Sequence, residues 1–292
     1  MSTYKLGLYE KALPKDLDWT SKMIAARDAG YDYLELSIDE TDEKLHRLEW
    51  SMEERWELNR LMHEQKMPLR SICLSAHRKY PLGSHHEPIR KRGMEIMAKA
   101  LQLADDLGIR IIQLAGYDVF YEDSSPQSRA MFADNLKQVA LMAAQYGILL
   151  GFETMETSLM NTVEKAMNYV RLIGSPYIQI YPDIGNITNA AAAAGKDVLD
   201  DLATGSGHFV AMHLKETKPG HFREVPFGEG HVDFDKAIRK AMQMGIRRYV
   251  VECWDTGSSQ WLETILKNYR IMRERLDQEQ ARLTLAADSI EG

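Results

Sequence analysis

Cysteine is almost missing from this 292-residue chain: only Cys73 and Cys253 occur, far apart. Two such residues cannot staple a small secreted scaffold, and without an export signal a reducing cytoplasm is the expected compartment. Proline (9) and glycine (19) are also sparse, which excludes collagen-like and low-complexity chains. No run approaches the ~18 apolar residues of a membrane span, so no membrane association is expected. The opening MSTYKLGLYEKALPKD sets Lys and Glu inside its first apolar stretch, unlike the uninterrupted core of a signal peptide. A basic excess is lacking too: 36 Lys and Arg against 43 Asp and Glu give −7, which opposes a nucleic-acid footprint. No Gly-, Ser- or Pro-rich linker divides the chain, and the only low-complexity tract, Ala190 to Ala194, suits helix packing. With 45% hydrophobic residues, one large barrel or two modest domains are both open on length alone.

What is present is a rhythm. Short apolar runs, each followed by a longer amphipathic stretch, recur along the whole chain. They are 4–9, 31–38, 68–75, 109–115, 148–153, 177–182, 209–214 and 249–252. Helical patterns occupy 16–29, 51–65, 87–107 and 125–146, with further helices between and after the later runs. Gly30, Gly108, Gly147, Gly174 and Gly245 each stand just before a run, where a helix can close on a left-handed glycine. Eight strands and eight helices at about 36 residues per unit fit a single (β/α)8 TIM barrel over 1–292, with about 277–292 a tail or helix extension. The rival, an open doubly wound sheet, requires a glycine-rich phosphate loop after its first strand. Tyr9-Glu10-Lys11-Ala12-Leu13-Pro14 contains no glycine.

Chemistry in such a barrel lies at the carboxyl ends of the strands. Glu153, Asp183, His213 and Glu252 fall there on four successive strands, spaced 30, 30 and 39 residues apart. One acid at a strand end is usually a helix cap or a solvated loop residue, and one histidine is usually a hydrogen-bonded core residue. Four in register are different, because charges at apolar strand ends are costly unless paired or metal-bound. Three carboxylates and an imidazole suit one divalent ion: Zn²⁺, Mn²⁺, Co²⁺ or Mg²⁺.

The same stretches carry a resemblance. YPDIGN (Tyr181 to Asn186), MHLKETKPG (Met212 to Gly220), VPFGEG (Val225 to Gly230) and VVECW (Val250 to Trp254) resemble the L-ribulose-5-phosphate 3-epimerase family. So do GLYEKALP (Gly7 to Pro14), SIDETDEKL (Ser37 to Leu45), CLSAHRKYPLGS (Cys73 to Ser84) and IQLAGYDVFY (Ile112 to Tyr121), in the expected order. The resemblance implies a xylose-isomerase-like barrel, an L-ascorbate-degradation type of sugar metabolism, and a homodimer. It implies a metal held by Glu153, Asp183, His213 and Glu252. The implied reaction inverts carbon 3 between L-xylulose 5-phosphate and L-ribulose 5-phosphate, with Glu153 and Glu252 as acid and base. It also implies a substrate contact for Tyr9, at the end of the first strand.

A phosphorylated ketose needs cations for its phosphate. Lys215, Lys218 and Arg223 follow the seventh strand, and His77, Arg78 and Lys79 follow the third. Of these, Lys218, Arg223 and His77 are the candidate substrate contacts. Two departures set the chain apart from the free-ketose relatives. It has Ile184-Gly185-Asn186 where they carry a histidine soon after the aspartate, and Pro219 where they carry an arginine. Both departures favour a phosphorylated substrate. Alternatives are another metal-dependent sugar isomerase, an inosose dehydratase, or a non-catalytic sugar-binding barrel. An apurinic endonuclease would need several site histidines, and of nine only His213 and His77 sit at strand ends. The cysteines have no expected chemistry, and strand alternation turns Cys253 outward as a small buried residue.

Overall fold

The structure, a computed structural model, describes residues 3–291, with side chains for 3–285. Eight parallel strands form one sheet: β1 Lys5–Tyr9, β2 Tyr33–Ile38, β3 Leu69–Leu74, β4 Ile111–Ala115, β5 Leu149–Glu153, β6 Ile178–Tyr181, β7 Met212–Leu214 and β8 Arg248–Val251. Their order is β6-β5-β4-β3-β2-β1-β8-β7, so β1 pairs with both β2 and β8 as a barrel requires. The ring closes between β6 and β7 through isolated bridges, Ile180 with Phe209 and Asp183 with His213. His213 N–H donates to the Pro182 carbonyl at 2.9 Å. This is the expected (β/α)8 TIM barrel.

The helices form the outer shell: α1 Trp19–Ala29, α2 Asp42–His46, α3 Met52–Gln65, α4 Glu87–Asp106, α5 Pro126–Tyr146, α6 Val163–Ile173, α7 Ile184–Ala194, α8 Val198–Ala203, α9 Phe234–Gln243 and α10 Trp261–Glu291. On α4, Gly93, Ile96, Met97, Ala100, Leu101 and Ala104 are buried, the three-and-four spacing of a stripe facing a sheet. Each large apolar side chain so buried contributes about 1.5–3 kcal/mol before conformational entropy is charged against it. Asp18 caps α1 by accepting from the Ser21 N–H at 2.7 Å, so this helix begins at Trp19 and not at Asp16. The five glycines expected to close helices all have positive φ. At Gly30 (φ 101°) a side chain would also collide with the Tyr269 ring, so the position needs glycine twice over. Ten α-helices occur among the described residues where eight were expected; α2 and α8 are short insertions.

Alternation along each strand sends every second residue into the barrel. Small residues there face large ones. The Tyr33 ring lies where a Gly7 side chain would be, and the Tyr181 side chain crowds Gly151. The upper interior is polar: Glu35, Ser71, Gln113 and His213 are buried, with Glu153, Asp183 and Glu252 above them.

Candidate metal and substrate site

Register places the acidic ends side by side. Glu153 ends β5 opposite Ala115 of β4, Asp183 follows β6 as the N-cap of α7, and His213 lies in β7. Glu252 follows β8, its N–H donating to Leu214 at 2.9 Å. One ligand atom from each of Glu153, Asp183, His213 and Glu252 lies within 4.8 Å of the others, and all four residues are buried. From His213 Nδ1 the distances are 3.0 Å to Glu252 Oε2, 3.6 Å to Glu153 Oε1 and 3.9 Å to Asp183 Oδ2. Yet His213 Nδ1 and Glu252 Oε2 have no hydrogen-bond partner, and Asp183 Oδ2 has only the Lys215 ammonium. Buried polar atoms are normally satisfied, so unpaired donor atoms converging on one point fit the binding of a cation. The donor set, three oxygens and one nitrogen, fits a divalent ion.

Local sequence explains the placement. Asp183 spends its other oxygen, Oδ1, on the Asn186 N–H at 2.7 Å, which leaves Oδ2 free to face the cluster. Gly185 follows because a β-carbon there would lie 2.7 Å from Thr217 Cγ2 and 2.8 Å from the Lys215 carbonyl. Below the quartet, Glu35 Oε1 meets His213 Nε2 at 2.6 Å. Charge balance comes from Lys215, whose Nζ lies 2.8 Å from Asp183 Oδ2 and 3.6 Å from Glu252 Oε2.

The electrostatics follow from this crowding. Burial, aided by Glu252, pushes the Asp183 carboxyl up to about 7, against the pull of Lys215. Burial works against the charge on Glu252, but Lys215 and His213 hold its carboxyl below the usual range. Burial alone would lower His213; Glu35 and Glu252 outweigh it and hold the imidazole well above its ordinary value. Lys215 thus offsets part of the negative charge crowded here.

Above the quartet is a cavity of about 100 Å³ lined by Glu153, Glu252, Tyr9, Cys73, Asn186 and Trp254. Four cations also line it: Lys11, Arg78, Lys215 and Arg223. Larger grooves of about 460 and 590 Å³ lie on the helical shell, away from the quartet. They carry no such cluster.

The expected substrate contacts divide. Tyr9 is in the cavity, its ring edge-on to Trp254 at 6.4 Å. Arg223 is there too, its Nη2 held 3.1 Å from Glu156 Oε1. Lys218 is not: it is half exposed, 3.9 Å from Glu229, and lines no part of the cavity. His77 turns away, its Nε2 3.1 Å from the Gly93 carbonyl on α4, and burial lowers its pKa to about 4. Its neighbour Arg78 reaches the cavity instead. Lys11, Asn186 and Glu35 were not singled out in the sequence, although an acid inside the apolar run YLELSI is a readable signal. Cys253 does face the helices, with Asn268 Nδ2 of α10 3.5 Å from its sulfur, but it is half-buried and not enclosed. Burial raises the Cys73 thiol well above its ordinary value, as do Glu35 and Glu153, which keeps it out of thiolate chemistry.

Comparison with known proteins agrees with this architecture. The family model described as xylose isomerase-like TIM barrel matches residues 23–275. The chain is 46% identical over 250 residues to the L-ribulose-5-phosphate 3-epimerase UlaE of Salmonella heidelberg (strain SL476), covering 85% of this chain and 87% of that one. The UlaE of Escherichia coli O139:H28 (strain E24377A / ETEC) gives the same identity and coverage. Among solved structures, a D-tagatose 3-epimerase-like protein superposes with TM-score 0.78 at 18% identity, covering 96% of this chain and 99% of that one. An L-ribulose 3-epimerase superposes with TM-score 0.77 at 17% identity, covering 98% of both. At such identities these structures speak for the fold alone.

Proposed function

The chain belongs to the xylose isomerase-like TIM barrels and, within them, to the L-ribulose-5-phosphate 3-epimerases; from that premise we propose how its residues carry out a sugar-phosphate epimerisation. The enzyme is of the isomerase class. The substrate pair we infer is L-xylulose 5-phosphate and L-ribulose 5-phosphate, differing in configuration at carbon 3. The observation that carries the reading is the quartet's orphaned atoms converging beneath a cavity lined with cations.

Glu153, Asp183, His213 and Glu252 would hold one divalent cation. When bound, it would draw electron density from the oxygens on carbons 2 and 3 and so acidify the carbon 3 proton. The chain's own residues do the rest. Glu153 and Glu252 come from strands on separate sides of the mouth, and both line the cavity. One, as a carboxylate, takes the carbon 3 proton, which leaves a planar enediolate. The other, as a carboxylic acid, returns a proton to the opposite face, and the centre is inverted. Asp183 and His213 act as ligands only. The buried ammonium of Lys215 offsets part of the negative charge that gathers here. Tyr9 and Trp254 form the apolar wall, and Lys11, Arg78 and Arg223 supply charge for the phosphate.

Exchanging each glutamate for its isosteric amide tests the assignment. Glu153→Gln and Glu252→Gln should each lower turnover of L-xylulose 5-phosphate by at least about 10³-fold, the middle of the range for single acid–base contributions. Circular dichroism of both variants should match wild type. A folded variant with near-wild-type turnover contradicts the two-glutamate scheme.

A further inference from the structure

Glu35 is a buried carboxylate in an interior that barrels usually fill with apolar layers. It sits in the middle of β2, paired in register with Tyr9 of β1 and Ser71 of β3. Burying such a charge is expensive unless every lone pair is used. Here they are shared out among three elements. Oε1 accepts from His213 Nε2 at 2.6 Å, and Oε2 accepts from Ser71 Oγ at 2.6 Å and Tyr181 Oη at 2.8 Å. Ser71 and Tyr181 hold the carboxylate, and the carboxylate holds the imidazole. The Tyr181 ring packs edge-on against His213 with centroids 4.8 Å apart, so the imidazole cannot swing aside.

We propose that Glu35 is a positioning residue for the metal site: it fixes the ring orientation and tautomer of His213 so that Nδ1 presents its lone pair to the cation. The chemistry is direct. An ionised carboxylate can only accept, so the hydrogen must sit on Nε2, and in the neutral ring Nδ1 is then the bare nitrogen. That nitrogen is the one without a hydrogen-bond partner and within 4 Å of all three carboxylate ligands. The negative charge behind the ring also makes it a stronger donor. Glu35 touches neither substrate nor cation, and acts through His213.

This inference rests on the divalent-cation reading, and the test separates the two. Protein stripped with chelator is titrated with Zn²⁺ against a chromophoric competitor. Wild type should bind one ion per chain tightly, and Asp183→Asn should lose that binding; if wild type binds none, the cation reading itself fails. Given wild-type binding, Glu35→Gln should weaken affinity about 10- to 100-fold, the range for losing an outer partner of a ligating histidine. Its turnover should recover to within about tenfold of wild type at saturating Zn²⁺, as a positioning role predicts and an acid–base role does not. A folded Glu35→Gln with wild-type affinity overturns the proposal, even if its stripped form melts earlier. Should Glu35→Gln not fold, Tyr181→Phe decides: a several-fold weaker affinity supports the proposal, and wild-type affinity overturns it.

Discussion

A histidine beside a catalytic mouth can serve the substrate or the scaffold, and His77 serves the scaffold. Its ring is enclosed against α4, with burial lowering its pKa to about 4 from an ordinary 6.5. The folded chain therefore keeps it neutral while the unfolded chain protonates it between those values. Its contribution is complete above about pH 6.5 and is lost as pH falls toward 4. The shift is worth about 3 kcal/mol. Glutamine at this position retains a donor for Gly93 but cannot titrate. Urea unfolding at pH 7 and pH 4.5 should show wild type losing about 2–3 kcal/mol more than His77→Gln. Parallel losses would show that the histidine does not titrate as its burial requires. At this scale the sequence was legible for the quartet, because four residues of metal-ligating type at one-unit spacing announce themselves. It was not legible for His77 and Lys218. The chain direction after a strand depends on a short 3-10 turn at Ser75–Arg78 and a long loop after β7, and neither has a period to read. Glu35 was legible in principle, as a lone acid in an apolar strand.

Element ends show which rules the chain obeys and where it breaks one. Helix α3 opens with a capping box, Ser51 and Glu54 satisfying each other's backbone N–H groups. It closes on Lys66 at φ 53°, where α1, α5 and α6 close on glycine. A side chain held in that left-handed region costs about 1 kcal/mol. Lys66→Gly should therefore stabilise the protein by up to about 1 kcal/mol in chemical denaturation, with KM unchanged because Lys66 precedes β3, on the face opposite the site. Gly30→Ala should do the reverse and cost at least about 2 kcal/mol, since its β-carbon would meet Tyr269 as well as the backbone restriction. Equal stability of both variants and wild type would refute this account of the helix ends. Strand positions were readable from apolar runs, but their ends were not. The run 209–214 keeps only Met212–Leu214 as β7, because Phe209 and its neighbours are drawn to Ile180 where the barrel closes. Helices α2 and α8, at 5 and 6 residues, are too short for periodicity to reveal.

For the whole molecule, closure and chemistry coincide. One of the two bridges that join β6 to β7 is the pair Asp183 and His213, so completing the ring also assembles half of the quartet. The (β/α)8 order was legible because each unit repeats the same helix, glycine and strand pattern. The network beneath the mouth was not, because Glu35, Ser71, Tyr181 and His213 are distant in sequence and meet only when the ring closes. The acidic excess changes meaning at this scale: Glu35, Glu153, Asp183 and Glu252 face into the barrel, and Glu10 is buried against the helical shell, held by Lys44 at 2.9 Å and Arg47 at 2.5 Å. The central claim is that the quartet's acidity moves a proton at carbon 3 with the help of a divalent cation. The most direct test incubates metal-loaded and chelator-stripped enzyme with L-xylulose 5-phosphate in deuterated water and follows the products by NMR. The account predicts L-ribulose 5-phosphate carrying deuterium at carbon 3, lost on stripping and restored on reloading. Product formed without carbon 3 deuterium, or equal exchange in the stripped enzyme, would contradict it.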